Sequence, residues 1–170
     1  MPVIGSGTRL GDVACVAAET DDMWEKVELP GYIFERMVGF SLPADGEVAI
    51  VSFEGVHIID LESPGNVLND DRYPEGKGIY DERKQVLVYE GKIFKMLGVF
   101  GGEPILDSSQ GEQLVFDLEK EILKVRQNNA TLFQFDFEDL SGDWGYATFS
   151  SDSAYMLLGL PYDIYIFQRN

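Results

Sequence analysis

The apolar residues of this chain occur in short runs separated by Gly, Pro, Asn and Asp, and this spacing is the feature that most constrains the fold. The runs are rich in Val, Ile, Phe and Tyr, whose side chains pack well on a pleated surface. Many short strands joined by Gly-rich turns are typical of all-β proteins. We therefore predict an all-β fold of short antiparallel hairpins. The predicted strands are Asp12–Glu19, Trp24–Leu29, Arg36–Ser41, Glu47–Phe53, Val56–Leu61, Gly78–Asp81, Gln85–Tyr89, Lys92–Leu97, Gln113–Leu118, Glu121–Arg126, Thr131–Phe137, Tyr146–Phe149, Ala154–Leu158 and Asp163–Phe167.

Segment 109–127 admits two interpretations. Leu114, Leu118 and Ile122 follow helical spacing, and Ser109 with Glu112 could form a capping box. The same segment also fits two strands that turn at Glu119-Lys120. We favour the hairpin because hairpins recur elsewhere in the chain.

Two stretches repeat one pattern of strand, aromatic residue, Glu-Gly turn and strand. They are Val51–Ile58 and Leu87–Phe94, and their turns lie 36 residues apart. A period near 40 residues built from short strands is the mark of an array in which one small sheet cannot bury its own faces.

The chain resembles the blades of WD-repeat β-propellers in two stretches. Gly39–Leu61 contains two inner strands and a third that ends in Ile59-Asp60-Leu61. Thr148–Phe167 is similar, with a Phe-Ser-Ser-Asp turn between its strands. The Gly-His and Trp-Asp pairs of the family are missing. At about 40–45 residues per blade, the resemblance implies about four propeller-like blades. A generic antiparallel sandwich or barrel is the alternative.

Composition restricts the classes of function. The chain has 170 residues, with 13 Lys and Arg against 30 Asp and Glu, for a net charge of −17. Nucleic acids and anionic membranes require a cationic surface, so we expect neither as a partner. One Cys and one His argue against disulfide frameworks and against Cys-rich or His-rich metal sites, and we expect no cofactor. We predict a flexible segment over residues 1–11, a single domain over 12–170, and a cytoplasmic location.

Three sequence features are better explained by structural roles than by catalysis or ligand binding. Gly5, Gly7 and Gly11 do not open a helix inside a βαβ unit, so we expect a loop there and no nucleotide site. Cys15 lies in an apolar run, and we expect a buried thiol without a catalytic role. His57 lies between Val56 and Ile58 in a strand, where a hydrogen-bonded structural imidazole is the ordinary outcome.

The acidic segment 136–144 has two possible uses. Asp139, Ser141 and Asp143 surround Gly142 and could form a weak Ca²⁺ cage, although their spacing does not match an EF-hand loop. We favour a solvated acidic loop and predict no metal site.

The charge distribution in the C-terminal half fits two interpretations, a binding surface or acidity that only keeps the protein soluble. Between Arg126 and Arg169 the chain has no Lys or Arg, and its acidic residues alternate with aromatic ones. Aromatic side chains supply affinity at interfaces, and charges supply steering and orientation. We predict that the contact residues are Asp139, Asp143, Trp144 and Tyr146, and that the partner is a protein with a basic surface. Tyr162 is the alternative to Tyr146 as an exposed aromatic near a turn.

One stretch of the chain concentrates the cations Lys77, Arg83, Lys84, Lys92 and Lys95. They could protect an exposed sheet edge from pairing, or they could equally meet the acidic face of a second copy in a homo-oligomer.

The favoured function is a non-enzymatic, acidic protein-interaction module, with an inhibitor or immunity-type protein as a specific variant. The alternative is a hydrolase with a carboxylate- or metal-based site on its loops.

Overall fold

The computed structural model describes residues 23–72 and 80–170, and these residues form strands and loops without any helix. The strands are β1 (Trp24–Lys26), β2 (Met37–Ser41), β3 (Glu47–Ser52), β4 (Gly55–Asp60), β5 (Val67–Asp70), β6 (Tyr80–Asp81), β7 (Val86–Tyr89), β8 (Lys92–Gly98), β9 (Gln113–Asp117), β10 (Ile122–Gln127), β11 (Ala130–Asp136), β12 (Tyr146–Phe149), β13 (Tyr155–Gly159) and β14 (Ile164–Arg169). The predicted all-β class is confirmed.

Every strand pair is antiparallel, and neighbouring strands in the sheets are mostly neighbours in the chain. A seven-stranded sheet has the order β5-β4-β3-β2-β8-β7-β6, a three-stranded sheet has the order β11-β10-β9, and a four-stranded sheet has the order β1-β14-β13-β12. The chain therefore forms four meanders, β2–β5, β6–β8, β9–β11 and β12–β14, and β1 is added beside β14. One sheet curls into a half-barrel.

Three apolar clusters join these meanders face to face. The first contains Leu123 of β10 and Phe149 of β12, the second contains Leu157 of β13 and Ile50 of β3, and the third contains Val51 of β3 and other side chains. The first lies between β9–β11 and the four-stranded sheet, and the second lies between that sheet and β2–β5. The third lies inside the curl, between β2–β4 and β6–β8.

Strands covered on both faces need apolar residues at every position, because successive side chains point to opposite faces. In β13, Met156 and Leu158 belong to the first cluster and Leu157 to the second. In β3, Ile50 and Val51 likewise belong to different clusters. This double burial explains why the apolar runs are continuous rather than alternating.

The hairpin interpretation of segment 109–127 is correct. Strands β9 and β10 pair antiparallel from Ile122 with Asp117 to Arg126 with Gln113. Strand β5 is a correction, because the strands predicted from the sequence include none between Leu61 and Gly78. Residues Val67–Asp70 have few strong strand formers, yet they pair along the edge of β4, from Ile59 with Val67 to Val56 with Asp70.

The two Glu-Gly repeats fold into different turns. In β7–β8, Tyr89 pairs with Lys92, and Glu90 and Gly91 form the turn at φ of 47° and 79°. In β3–β4, Ser52 pairs with Gly55, so the turn lies one residue earlier and contains Phe53. Tyr89 therefore remains in its strand, whereas the equivalent Phe53 projects from a turn.

Some predictions concern residues outside the described ranges. These are the flexible segment 1–11, the strand over Asp12–Glu19 with Cys15, and the beginning of the strand predicted over Gly78–Asp81.

Candidate functional site

The acidic loop after β11 contains Asp139, whose carboxylate turns back on its own loop. It accepts hydrogen bonds from the Ser141 amide and hydroxyl, each at 3.1 Å, and from the Gly142 amide at 2.9 Å. The Asp139 amide donates to Glu121 at 2.9 Å. Asp139 therefore shapes the loop, because its oxygens are engaged in capping backbone donors.

Asp143, in the same loop, points away from Asp139 toward Arg36. The Arg36 guanidinium donates to the Asp143 carboxylate at 2.6 Å. The same guanidinium lies 5.8 Å from the ring centroid of Phe53 and 5.7 Å from that of Tyr162. Arg36 is thus the centre of a group that joins the β3–β4 turn, the acidic loop and the turn before β14.

Tyr32 extends this group along the surface. Its hydroxyl donates a hydrogen bond to the carboxylate of Glu54, the neighbour of Phe53 in the β3–β4 turn. This bond, together with partial desolvation and the charges of Glu54 and Glu35, raises the pKa of Tyr32 to about 12. A small cavity of about 140 Å³ is lined by both Tyr32 and Tyr162.

We call this continuous set the aromatic–carboxylate surface. It consists of Tyr32, Arg36, Phe53, Glu54, Asp143 and Tyr162. Its three rings are accessible, with Tyr32 at 67%, Phe53 at 61% and Tyr162 at 40% of full exposure. Its acidic members and the exposed Glu35 and Asp163 surround the rings with negative charge.

Trp144 and Tyr146 lie behind this surface. Both rings are half-buried against the second apolar cluster, and their centroids are 6.5 Å apart. They support the loop that carries Asp143. Of the residues predicted from sequence, Asp143 and Tyr162 therefore reach the surface, whereas Asp139, Trp144 and Tyr146 contribute to the structure beneath or beside it.

A larger cavity of about 510 Å³ adjoins the surface at the open end of β4 and β5. Its lining residues are Tyr32, Ile33, Glu54, His57, Asn69, Asp70 and Asp71. It shares Tyr32 and Glu54 with the aromatic–carboxylate surface. We call it the β4–β5 cavity.

His57 lines this cavity and is held by a hydrogen-bonded relay across three strands. Its Nε2 lies 2.6 Å from the Ser52 hydroxyl, and its Nδ1 lies 2.7 Å from the Asn69 side-chain oxygen. Because that oxygen can only accept, Nδ1 carries a proton, which it donates to Asn69. The expected hydrogen-bonded structural imidazole is confirmed.

The hydrogen bonds run from a serine through a histidine to a side-chain oxygen, as in the catalytic triad of a serine hydrolase. Ser52, however, has a structural role. Its side chain is shielded from solvent, and its hydroxyl oxygen accepts the Glu54 amide at 3.1 Å. A nucleophile must reach the substrate in a geometry suited to attack. Ser52 instead fixes the turn that presents Phe53 and Glu54.

At the rim of the cavity, the negative charge of the Asp70 carboxylate is compensated by a neighbouring cation. It accepts hydrogen bonds from the Arg72 guanidinium and, at 2.8 Å, from the Tyr89 hydroxyl. These bonds hold the pKa of Asp70 well below its usual range. The negative charge of the cavity lining therefore comes from Glu54 and Asp71.

The hypothetical Ca²⁺ cage around Asp139 and Asp143 does not form, because their carboxylates face different partners. Within residues 23–72 and 80–170, no three His, Cys, Asp or Glu side chains converge in a group that could hold a metal ion.

Sequence reasoning missed Tyr32, Arg36, Phe53 and Glu54. The available signal was the repeated pattern at Phe53, Glu54 and Gly55, but that pattern predicts Phe53 as the last residue of a strand and not as part of the turn. Arg36 carried no signal, because its partners are distant in sequence.

Comparison with known proteins found no match: no family model fits the chain, and no curated protein or solved structure is similar to it. In the part of the chain that the structure describes, there is also no helix with the length and apolar character needed to cross a membrane.

Proposed function

We propose that this protein is a non-enzymatic interaction module that binds a protein with a basic surface through the aromatic–carboxylate surface. The observation that carries this proposal is the convergence of two exposed rings, Phe53 and Tyr162, around Arg36. The exposed ring of Tyr32 adjoins them through its hydrogen bond to the Glu54 carboxylate. Aromatic residues and Arg are enriched at interface centres, and charged groups are more frequent at the rim.

Charge supports a basic partner in particular. The net charge of −17 creates a field that accelerates encounter with a cationic protein and repels an acidic one. An inhibitor or immunity-type protein is the variant that fits best, because exposed carboxylates can occupy sites where a basic enzyme binds phosphate groups. We propose the cytoplasm as its location, in keeping with a single Cys in the sequence.

The hydrolase alternative has less support. A carboxylate that serves as a general acid needs a raised pKa. The Arg72 guanidinium and the Tyr89 hydroxyl lower the pKa of Asp70 at the rim of the β4–β5 cavity. Partial desolvation raises the pKa of Asp163, which lines the smaller cavity, but no second Asp or Glu among the described residues lines that cavity to act with it.

We also infer a propeller-like relation between the four meanders. Its support is that β9–β11, the four-stranded sheet and β2–β5 pack face to face in that order, joined by two apolar clusters. The fourth meander, β6–β8, continues the sheet of β2–β5 through the β2–β8 pair and curls back over it around the third cluster. A second similarity is that β1, from early in the chain, is added to the sheet of β12–β14. In a propeller, a strand added in this way completes the blade that closes the ring.

Affinity capture from a lysate of the source cells tests the interaction. The baits are the unmodified protein, the double variant Phe53→Ala with Tyr162→Ala, and Ile93→Ala. Ile93 is a matched control because it is 65% exposed and lies on β8, outside the surface. Thermal unfolding of all three baits verifies that each is folded.

We expect a basic protein to be captured by the unmodified bait and by Ile93→Ala, and to be lost with the double variant or at high salt. Capture of the same proteins by all three baits would contradict the proposal, because the surface would then make no specific contribution.

A further inference from the structure

We propose that the β4–β5 cavity binds the guanidinium group of an arginine side chain from the partner. This inference rests on the proposed function and adds a specific recognition site to it. The cavity volume of about 510 Å³ is ample for one long side chain, and its opening adjoins the surface through Tyr32 and Glu54.

The lining matches the chemistry of such a side chain. Ile33 and the Tyr32 ring provide apolar area for the methylene stem of an arginine. The face of an aromatic ring also attracts a cation placed over it. Glu54 and Asp71 provide negative charge for the guanidinium head, whose planar donors suit carboxylate oxygens.

Two features of the cavity favour the binding of a cation over that of an anion. Arg72, the cation beside the lining, is already occupied by the carboxylate of Asp70. The His57 ring is fixed by Ser52 and Asn69, so its nitrogens are engaged within the protein. An incoming cation therefore meets the carboxylates of Glu54 and Asp71, and the described residues that line the cavity include no Lys or Arg.

His57 provides a direct reporter for this site, because it is the single His of the chain. The test is a titration of the full protein with N-acetyl-arginine amide, followed through the NMR signals of the His57 ring carbons and protons. N-acetyl-citrulline amide is the matched probe, since it has nearly the same shape and no charge. Both titrations are made at constant ionic strength.

We expect a saturable shift of the His57 signals with the arginine probe and no saturable shift with the citrulline probe. In the double variant Glu54→Gln with Asp71→Asn, half-saturation should require about tenfold more arginine probe. The control variant Glu119→Gln with Glu138→Gln makes the same change in charge at exposed positions elsewhere and should bind like the unmodified protein.

Equal responses to both probes, or unchanged binding in the Glu54–Asp71 double variant, would overturn the cavity proposal. If capture of the partner still depends on Phe53 and Tyr162, the proposed function stands without the cavity. If the arginine probe binds but capture is independent of Phe53 and Tyr162, the proposed function fails, and so does the assignment of a partner's arginine as the occupant.

Discussion

Glu112 and Arg169 form an ion pair inside the protein, between the loop before β9 and the end of β14. The Arg169 guanidinium donates to both carboxylate oxygens of Glu112, and the Ser108 hydroxyl donates to one of them at 2.9 Å. The Arg169 guanidinium also lies 4.3 Å from the Trp24 ring centroid. Glu112 is only 3% exposed, so solvent can replace little of this pairing.

We expect Glu112→Gln to reduce the free energy of unfolding by about 3 kcal/mol, because it leaves the largely shielded Arg169 charge, whose side chain is 12% exposed, without its counter-charge. Lys84→Ala is the control, since the Lys84–Asp81 pair is largely exposed and should contribute less than about 1 kcal/mol. Urea unfolding measures both. Equal effects of the two substitutions would refute the structural role of the buried pair.

The same pair predicts a pH dependence. Arg169, followed by the Ser108 hydroxyl, lowers the pKa of Glu112. A lowered folded-state pKa stabilises the fold above the unfolded-state value of about 4.3, and this contribution is lost as the pH falls through the folded-state pKa. The difference in unfolding free energy between the unmodified protein and Glu112→Gln should therefore be full at neutral pH and shrink below about pH 4. A difference that stays constant down to acid pH would contradict this linkage.

Sequence patterns predicted some of these residue-level features and missed others. The position of His57 in an apolar strand correctly indicated a hydrogen-bonded imidazole. For Glu112 the sequence suggested only a helix capping box with Ser109. Its true partner, Arg169, is 57 residues away, and no spacing rule connects the two.

At the level of elements, β2 and β8 join the two halves of the seven-stranded sheet through a pair of glycines. Gly39 of β2 pairs directly with Gly98 of β8. A Cβ atom on Gly98 would lie 2.3 Å from the carbonyl oxygen of Val38. The glycine therefore permits an approach of the two backbones that a side chain would prevent.

We expect Gly98→Ala to destabilise the protein by about 1–3 kcal/mol or more, since the obstructing atom belongs to the backbone and cannot rotate away. Gly65→Ala is the matched control, because nothing lies within 4 Å of a Cβ atom at Gly65. Its effect should be within about 0.5 kcal/mol of zero. Denaturant unfolding decides, and a Gly98→Ala protein as stable as the control would disprove the close approach.

Strand composition predicted most elements, because apolar β-branched and aromatic runs form strands wherever both faces are covered. It failed for β5, whose Val-Leu-Asn-Asp sequence is paired only by virtue of the neighbouring β4 edge. It also failed to place the turn of the β3–β4 hairpin. There Ser52 caps Glu54, and a Cβ at Gly55 would lie 2.0 Å from the Asp70 carbonyl oxygen. The first is a local hydrogen bond and the second is a tertiary constraint. Together they place Phe53 in the exposed turn.

At the scale of the whole molecule, several cations are engaged by carboxylates, and a large excess of negative charge remains. Arg36 with Asp143 and Lys92 with Glu47 are examples of such pairs. Self-repulsion in a chain of net charge −17 opposes compaction. We therefore expect the thermal unfolding midpoint to rise between low salt and about 0.5 M NaCl, where the Debye length is well below 10 Å. A midpoint that falls with salt would mean that exposed ion pairs outweigh repulsion.

The sequence predicts an acidic surface in the C-terminal half, but it does not predict which residues form the aromatic–carboxylate surface. The C-terminal half supplies Asp143 and Tyr162, whereas Tyr32, Arg36 and Phe53 come from the N-terminal half. Only the packing of the four-stranded sheet against β2–β5 brings these two groups together.

The central claim, that the aromatic–carboxylate surface binds a basic protein, is tested most directly by association and dissociation rates of the purified, captured partner. These are measured for the unmodified protein, Phe53→Ala and Ile93→Ala at low and physiological salt. We expect the association rate to fall about tenfold or more with added salt, and Phe53→Ala to raise the dissociation rate by about tenfold or more, with Ile93→Ala unchanged. Salt-independent association, together with equal dissociation of both variants, would contradict the claim.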